Sequence, residues 1–300
     1  MAKMLSRVAP WLPSRSKDGT GQDDFTVRVL GAADTRALRV LAMEDPVANV
    51  FILAHLDSTG SAAPTSGGAS VFGVFDGDAL VGACWAGANL VPVQLDPELA
   101  SRVAAVAHRA GRRYASIFGP AETVLALHSR LEQLGHFAHE VRAEQPLLAI
   151  SGPPAVEANP QLGFGNIADF DRILPACAAM FEEEVGYSPF LGSEDFYSRR
   201  VAGLIRQGHS LVHIDAGGTV KFKAELGAVT AQATQVQGVW MNPEFRGKGL
   251  SAGYMAGVVV LAQQFAPITS LYVNEYNTRA RATYERVGFK RLGTFATVLY

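Results

Sequence analysis

Val239-Trp240-Met241-Asn242-Pro243-Glu244-Phe245-Arg246-Gly247-Lys248-Gly249-Leu250-Ser251 is the stretch on which the reading of this chain turns. A strand expected over Thr230 to Met241 runs out and the chain turns at Asn242-Pro243. Two glycines then flank a lysine ahead of a helix expected over Leu250 to Phe265. The first turn of a helix leaves backbone N–H groups without partners, and the macrodipole makes that end partly positive. Glycine lets a backbone approach an anion closely. Arg246 and Lys248 add charge at the same place, so a diphosphate there would meet donors and cations together. The spacing alone also suits an ordinary glycine turn leading into a helix. Two phosphate motifs are excluded: Ala252 stands where G-x-G-x-x-G needs its third glycine, and Lys248 is followed by Gly249 rather than Ser or Thr.

A second segment lies about two dozen residues on, after a strand expected at Ile268 to Val273. It reads Asn277-Thr278-Arg279-Ala280-Arg281-Ala282-Thr283-Tyr284-Glu285-Arg286-Val287-Gly288-Phe289. Asn277 suits an N-cap and Gly288 a helix stop. Ala280, Tyr284 and Val287 share one face at helical spacing. A tyrosine there either packs in a core or presents its hydroxyl to a cleft.

Together, in this order and at this distance, the two segments resemble the GNAT N-acetyltransferase superfamily. The first is similar to that family's R-x-x-G-x-G/A acyl-CoA loop. The second, N-x-x-A-x-x-x-Y-E-x-x-G-F, is similar to its motif B. The resemblance covers roughly the last 140 residues, and the whole chain further resembles bacterial GNAT proteins with an extra N-terminal domain. It implies an α/β fold with a mixed central sheet flanked by helices, split between two neighbouring parallel strands. The co-substrate implied is acetyl-CoA or another acyl-CoA, with a primary amine as acceptor, borne by a small molecule, a peptide or a protein. Carried onto this sequence, Val239 and Met241 would offer backbone groups to the pantetheine arm, where an N–H would meet the developing oxyanion. Arg246, Gly247, Lys248, Gly249, Leu250 and Ser251 would surround the diphosphate. Asn277 and Ala280 would lie against the cofactor arm, and Tyr284 would protonate the departing thiolate.

The chain departs from the family pattern twice. Ser251 replaces the usual Gly or Ala, which is small enough to keep the close approach. Many relatives also carry a basic glutamate on the strand before the loop, and here Thr234, Gln235, Val236 and Gln237 hold no carboxylate. The acidic candidates are Glu225 on the preceding expected strand and Glu183 in the run Glu182-Glu183-Glu184, which is either a solvated helix end or an acidic lip for a cationic amine. An amine that loses its proton to water would need no base. The missing glutamate also admits a different reading, a non-catalytic acyl-CoA sensor. Transfer from an aminoacyl-tRNA is disfavoured by the intact R-x-x-G-x-S loop and the acidic balance.

Working outward, Ser151 to Pro160 (SGPPAVEANP) separates two patterned regions. The expected organisation is a tail at 1–24, an N-terminal domain at 25–150, a linker at 151–161 and the GNAT domain at 162–300. In the first region Phe25 to Leu30 alternates like a strand, and Asp34 is placed to cap a helix through Leu41. Val71 to Phe75 and Ala79 to Trp85 flank an Asp76-Gly77-Asp78 turn. A helix over Pro97 to Ala110, a strand over Tyr114 to Phe118, a helix over Ala121 to Leu134 and a strand over Val141 to Ile150 complete this region. The second region repeats hairpin, helix, strand, helix, strand, which suggests a degenerate GNAT-like copy in the first. Its stretch Asn89 to Asp96 has no glycine and no basic residue where cofactor phosphates would sit.

Composition sets the outer bounds. Of 300 residues 48% are hydrophobic and 18% charged, enough apolar material for a substantial core, and the net charge of −2 carries no basic excess for nucleic acid. The apolar run Met255 to Ala262 is far short of the roughly 20 residues that span a bilayer. The N-terminal residues are interrupted by Arg7 before a signal-peptide core forms. Two cysteines, Cys84 and Cys177, one in each half, make no ligand cluster and fit buried positions in a reducing cytoplasm.

Overall fold

A computed structural model describes residues 25–191 and 194–300; the tail expected at 1–24 lies outside them. The first half runs β1 (Phe25–Val29), α1 (Thr35–Ala42), α2 (Val50–Thr59), β2 (Ser70–Asp76), β3 (Ala79–Ala86), β4 (Asn89–Val93), α3 (Ala100–Arg109), β5 (Ser116–Pro120), α4 (Ala121–Gln133) and β6 (Glu140–Ser151). The second runs β7 (Gly163–Phe164), α5 (Phe170–Val185), α6 (Glu194–Arg206), β8 (Ser210–Ile214), β9 (Val220–Val229), β10 (Ala233–Met241), α7 (Ser251–Ala262), β11 (Ile268–Tyr272), α8 (Thr278–Val287) and β12 (Lys290–Leu299). The elements expected from the pattern are present within a few residues. The helix α2, the strand β4 and the short β7 were not anticipated. Asp34 also behaves differently: its carboxylate accepts from the Gly31 N–H at 2.8 Å and pairs with Arg28 instead of capping α1.

All strands join one twelve-stranded mixed sheet in the order β1-β2-β3-β4-β5-β12-β6-β11-β10-β9-β8-β7. Among the described residues only β4–β5 and β10–β11 pair in parallel, one pair in each half. The centre of the sheet is an exchange. β12, the last strand of the chain, pairs with β5 of the first half, and β6 of the first half pairs with β11 of the second. The exchanged strands then pair with each other.

Packing reflects this crossing. Ala296 and Val298 of β12 are fully buried in the core of the first half, among Ile117, Val124 and Leu131. Leu148 and Ile150 of β6 lie in the core of the second half with Met255, Val258 and Phe289. Strand alternation sends the neighbouring Leu147 and Ala149 to the opposite face, where they meet Val47, Val50 and Phe295. Each half therefore closes its core with a strand of the other.

α7 is apolar around almost its whole circumference, as expected of a helix that is mostly buried, and only Val260 is exposed. Eight of its residues are buried, and the Tyr254 ring stacks on Phe222 with centroids 4.7 Å apart. The Pro-rich stretch 151–160 runs over it: Asn159 N–H donates to Gly253 at 2.8 Å, and Ala155 N–H donates to Val287 of α8 at 2.8 Å. This segment is bonded to the second half along its length. Among the described residues no helix is long and apolar enough to cross a membrane.

The exchange has a measurable consequence. A fragment 162–300 lacks β6 and leaves Leu271, Val258 and Phe289 without their cover, so it will show no cooperative thermal transition by circular dichroism. Adding a separately expressed fragment 1–161 will restore one. A sharp transition in the isolated fragment would mean that the crossed strands are dispensable.

Candidate functional site

The site begins where two parallel strands part. β10 and β11 are in register only over Ala233–Ile268, Thr234–Thr269 and Gln235–Ser270, with the Ser270 hydroxyl donating to the Thr234 carbonyl at 2.9 Å. Beyond that, β10 bulges. Gln237 opposes Glu225 and Trp240 opposes Lys223, so one extra residue is accommodated between them. Gly238 makes this possible with φ +56, a region that side chains disfavour. A Cβ there would also lie 3.0 Å from the Met180 methyl, 3.1 Å from Lys223 Nζ and 3.3 Å from the Glu225 carboxyl carbon.

Beneath the bulge is a buried charged cluster. Glu225 accepts from Lys223 Nζ at 2.5 Å and from Arg200 Nη2 at 3.1 Å, and the Lys223 and Glu225 side chains are 0% and 2% exposed. Burial opposes the charge on Glu225, but the Lys223 ammonium and Arg200 guanidinium outweigh it and hold the carboxyl below its ordinary value. Cys177 donates its thiol to the same carboxylate at 3.7 Å, and burial pushes that thiol up to about 11. Among the sequence candidates, Glu225 thus sits behind β10, neutralised by two cations, and does not line the cleft.

The cleft opened by the split has two connected chambers. One, with a volume of about 520 Å³, is lined by Met241, Arg246, Gly247 and Ser251 on one side and by Asn277, Arg279 and Ala280 on the other. The second is lined by Gln145, Glu184, Gln237, Gly238, Asn274 and Tyr276. Glu183, Val239, Trp240, Asn277 and Tyr284 border both. The structure thus brings together most of the residues picked from sequence. Lys248, Gly249 and Leu250 stand on the loop but off the chamber lining, and the Lys248 ammonium lies over the Phe245 ring, 5.0 Å from its centroid.

The loop is fixed at its start and open at its end. The Asn242 side chain accepts from the Glu244 N–H at 3.1 Å and donates to the Val220 carbonyl at 3.2 Å. Gly247 and Gly249 take φ +74 and +73. Leu250 at the N-cap of α7 provides no side-chain cap, so the first N–H groups of a twelve-residue helix carry no such acceptor. Arg246 is already engaged: its Nε donates to the Met241 carbonyl at 2.8 Å, and its Nη2 donates to both oxygens of Glu183 at 2.9 and 2.7 Å.

Asn277 caps α8 by accepting from the Ala280 N–H at 3.2 Å, as its position suggests. Tyr284 is 7% exposed, packed in the core of the second half, and borders both chambers. Burial, with Glu184 adding to it, raises its hydroxyl to about 12 and keeps it protonated through the neutral range. Several lining residues were missed by sequence reading. Arg279 could have been found from its place in the first turn of α8. Gln145 gave no signal, because it reaches the cleft only through the strand exchange.

Residues 180–289 match the model of the acetyltransferase (GNAT) family, and residues 69–173 match a domain of unknown function (DUF4081). The fold is similar to a GCN5-related N-acetyltransferase from Sphaerobacter thermophilus, with TM-score 0.60 and 16% identity over 93% of this chain and 96% of that one. An acetyltransferase from the GNAT family of Colwellia psychrerythraea is similar at TM-score 0.56 and 11% identity, covering 92% and 99%. A tandem GNAT protein from the clavulanic acid biosynthesis pathway is similar at TM-score 0.51 and 15% identity, covering 91% and 98%. No curated protein matches the chain in sequence.

Three substitutions check the bulge, the loop and the charged pair beneath the bulge. Gly238→Ala will lower stability by about 2–3 kcal/mol, combining φ strain with contact. Gly247→Ala, where nothing lies within 4 Å of the added carbon, will cost only about 1 kcal/mol. Glu225→Gln leaves Lys223 buried against a neutral amide and will cost about 3–5 kcal/mol in urea unfolding. In the parent protein, the depressed Glu225 carboxyl stabilises the fold at pH above its unfolded value of about 4.3, and that contribution is lost as pH falls through the folded value. The variant will lack this acid-side loss; equal pH profiles would remove the pair from the account.

Proposed function

We propose that this protein, whose residues 180–289 match the model of the acetyltransferase (GNAT) family, moves an acetyl or other short acyl group from acyl-CoA to a primary amine. The observation that carries this reading is the continuity of the cleft, from the uncapped start of α7, past the free edge of β10, to an acidic second chamber. The diphosphate suits the first end, where Gly247, Ser251 and the N–H groups of α7 meet Arg246 and Arg279. The pantetheine arm suits the open edge of β10 at Val239 and Met241, with Asn277 and Ala280 opposite. The amine suits the second chamber, whose lining carboxylates are Glu183 and Glu184.

Bound acyl-CoA supplies an activated thioester carbonyl. Free N–H groups on the β10 edge are suited to stabilise negative charge developing on that oxygen. The amine nitrogen forms the new C–N bond, the C–S bond breaks, and CoA leaves as its thiol. Tyr284, held protonated, is the donor for the departing sulfur, and the proton lost by the attacking amine passes to Glu183 or to water. Glu183 is favoured over Glu225 because it borders the cleft and is half exposed, its side chain 45% accessible. We assign the activity to the cytoplasm on the two unpaired, buried cysteines.

A non-catalytic acyl-CoA sensor is the competing reading, favoured by the lack of a carboxylate among Thr234, Gln235, Val236 and Gln237 on the strand before the loop. Calorimetric titration with acetyl-CoA, followed by a transfer assay on a panel of primary amines, separates the two. We expect binding with turnover on at least one amine. Arg246→Glu should abolish binding, and Tyr284→Phe should lower the transfer rate by about 10²-fold with little change in melting temperature. Binding without turnover on every amine would leave the sensor, and no affinity for any CoA species would remove both readings.

A further inference from the structure

Arg246 already holds Glu183 and stands where the proposed diphosphate would draw its charge the other way. Its Nη2 donates to both carboxylate oxygens of Glu183 at 2.9 and 2.7 Å across the boundary of the two chambers. The same arginine stands on the loop that suits the cofactor diphosphate. Glu183 accepts one further bond, from Trp240 Nε1 at 3.0 Å. Glu183 also lies in the last turn of α5, where the helix macrodipole is partly negative, and that turn contains no basic residue. A carboxylate there is stabilised by an external cation, and Arg246 provides it. The neighbouring Glu184 has its own cation: Arg142 of β6 lies 3.7 Å from its carboxylate and donates to its backbone carbonyl at 3.1 Å.

We propose that Glu183 is the acceptor-binding carboxylate, and that the cofactor diphosphate makes it available by taking Arg246 away from it. The inference rests on the reading of the cleft as an acyl-CoA site. With Arg246 on phosphate, Glu183 keeps only a neutral indole N–H in a position that favours a cation. An alkylammonium entering the second chamber replaces the lost charge. The acceptor class is therefore an amine that is protonated in solution, not a neutral aromatic amine, and CoA binds before it. In the absence of cofactor the guanidinium occupies the carboxylate and competes with the amine.

The competition is readable with CoA alone and needs no known acceptor. Glu183→Gln frees Arg246 in advance, so the full-length variant should bind CoA about threefold to tenfold more tightly than the parent in calorimetry. Glu184→Gln removes the same charge from the same helix end without touching Arg246, and should leave CoA affinity unchanged. In heteronuclear NMR the Trp240 indole resonance, assigned with Trp240→Phe, should move when CoA is added to the parent as Glu183 shifts away. Unchanged or weaker CoA binding by Glu183→Gln, or equal tightening in both variants, would overturn the proposal while leaving the cofactor site standing. Absence of CoA binding to the parent would instead overturn the functional reading beneath it.

Discussion

The parting of β10 from β11 after three paired residues is the constraint on which the rest of the site depends. Parallel strands left in register would close the sheet and leave no free edge. The bulge at Gly238 turns β10 aside, and the Lys223–Glu225 pair beneath it occupies the volume that any side chain on residue 238 would need. Such a pair is costly to bury and gains little over apolar packing unless it is fully compensated. Here Arg200, Gln237 and Cys177 complete the coordination of the carboxylate. The cluster thus fixes a backbone shape, and the shape in turn places the free edge between the start of α7 and the end of α5.

The first half shows the same sheet without the opening. β4 and β5 are parallel and in register only at Asn89–Ser116 and Leu90–Ile117, so the parting point is retained. Past that point the space between the strands is filled. The Pro92 ring lies 3.2 Å from where a Cβ on Gly119 would stand, and the Thr123 hydroxyl of α4 donates to the Leu95 carbonyl at 2.8 Å. Leu95 itself is buried in the core of that half. Gln94, at φ +45, turns the chain where the second half has its Asn242-Pro243 corner, and α3 begins after a short 3-10 turn without a glycine loop. Side chains of that half occupy the space that the second half leaves open as a cleft.

The glycine turn ahead of α7, the Asn277 cap, Tyr284 on a packed face and most of the element order along each half were legible because each depends on neighbours in sequence. Hydrophobic periodicity and capping chemistry are local signals. The exchange of β6 and β12 was not legible. Leu148 and Ile150 alternate with Leu147 and Ala149 whichever strand lies beside them, so the pattern specifies two buried faces and not a partner. α2 was missed for a related reason: Val50 to Leu56 is nearly continuous apolar sequence with no helical stripe, because the helix is covered by both halves. β4, with Pro92 next to its end, lacks the alternation of a strand. The Glu183–Arg246 contact joins residues 63 apart and leaves no trace in either local sequence.

The exchange also makes the first half part of the site rather than an attachment to it. Gln145 of β6 is buried, accepts from the Thr297 hydroxyl of β12 at 2.6 Å and donates to Asn274 at 2.8 Å. Asn274 in turn donates to the Tyr276 hydroxyl at 2.8 Å. This chain of bonds starts on the two crossed strands and ends on the rim of the second chamber. Since the Tyr276 oxygen already accepts, its own proton remains free for another acceptor. Arg142, three residues earlier on β6, holds the end of α5 that carries Glu183 and Glu184. Both walls of the second chamber are therefore referenced to a strand that the first half contributes. Removing the first half would unfix the acidic helix end on one side and the Asn274–Asn277 turn on the other.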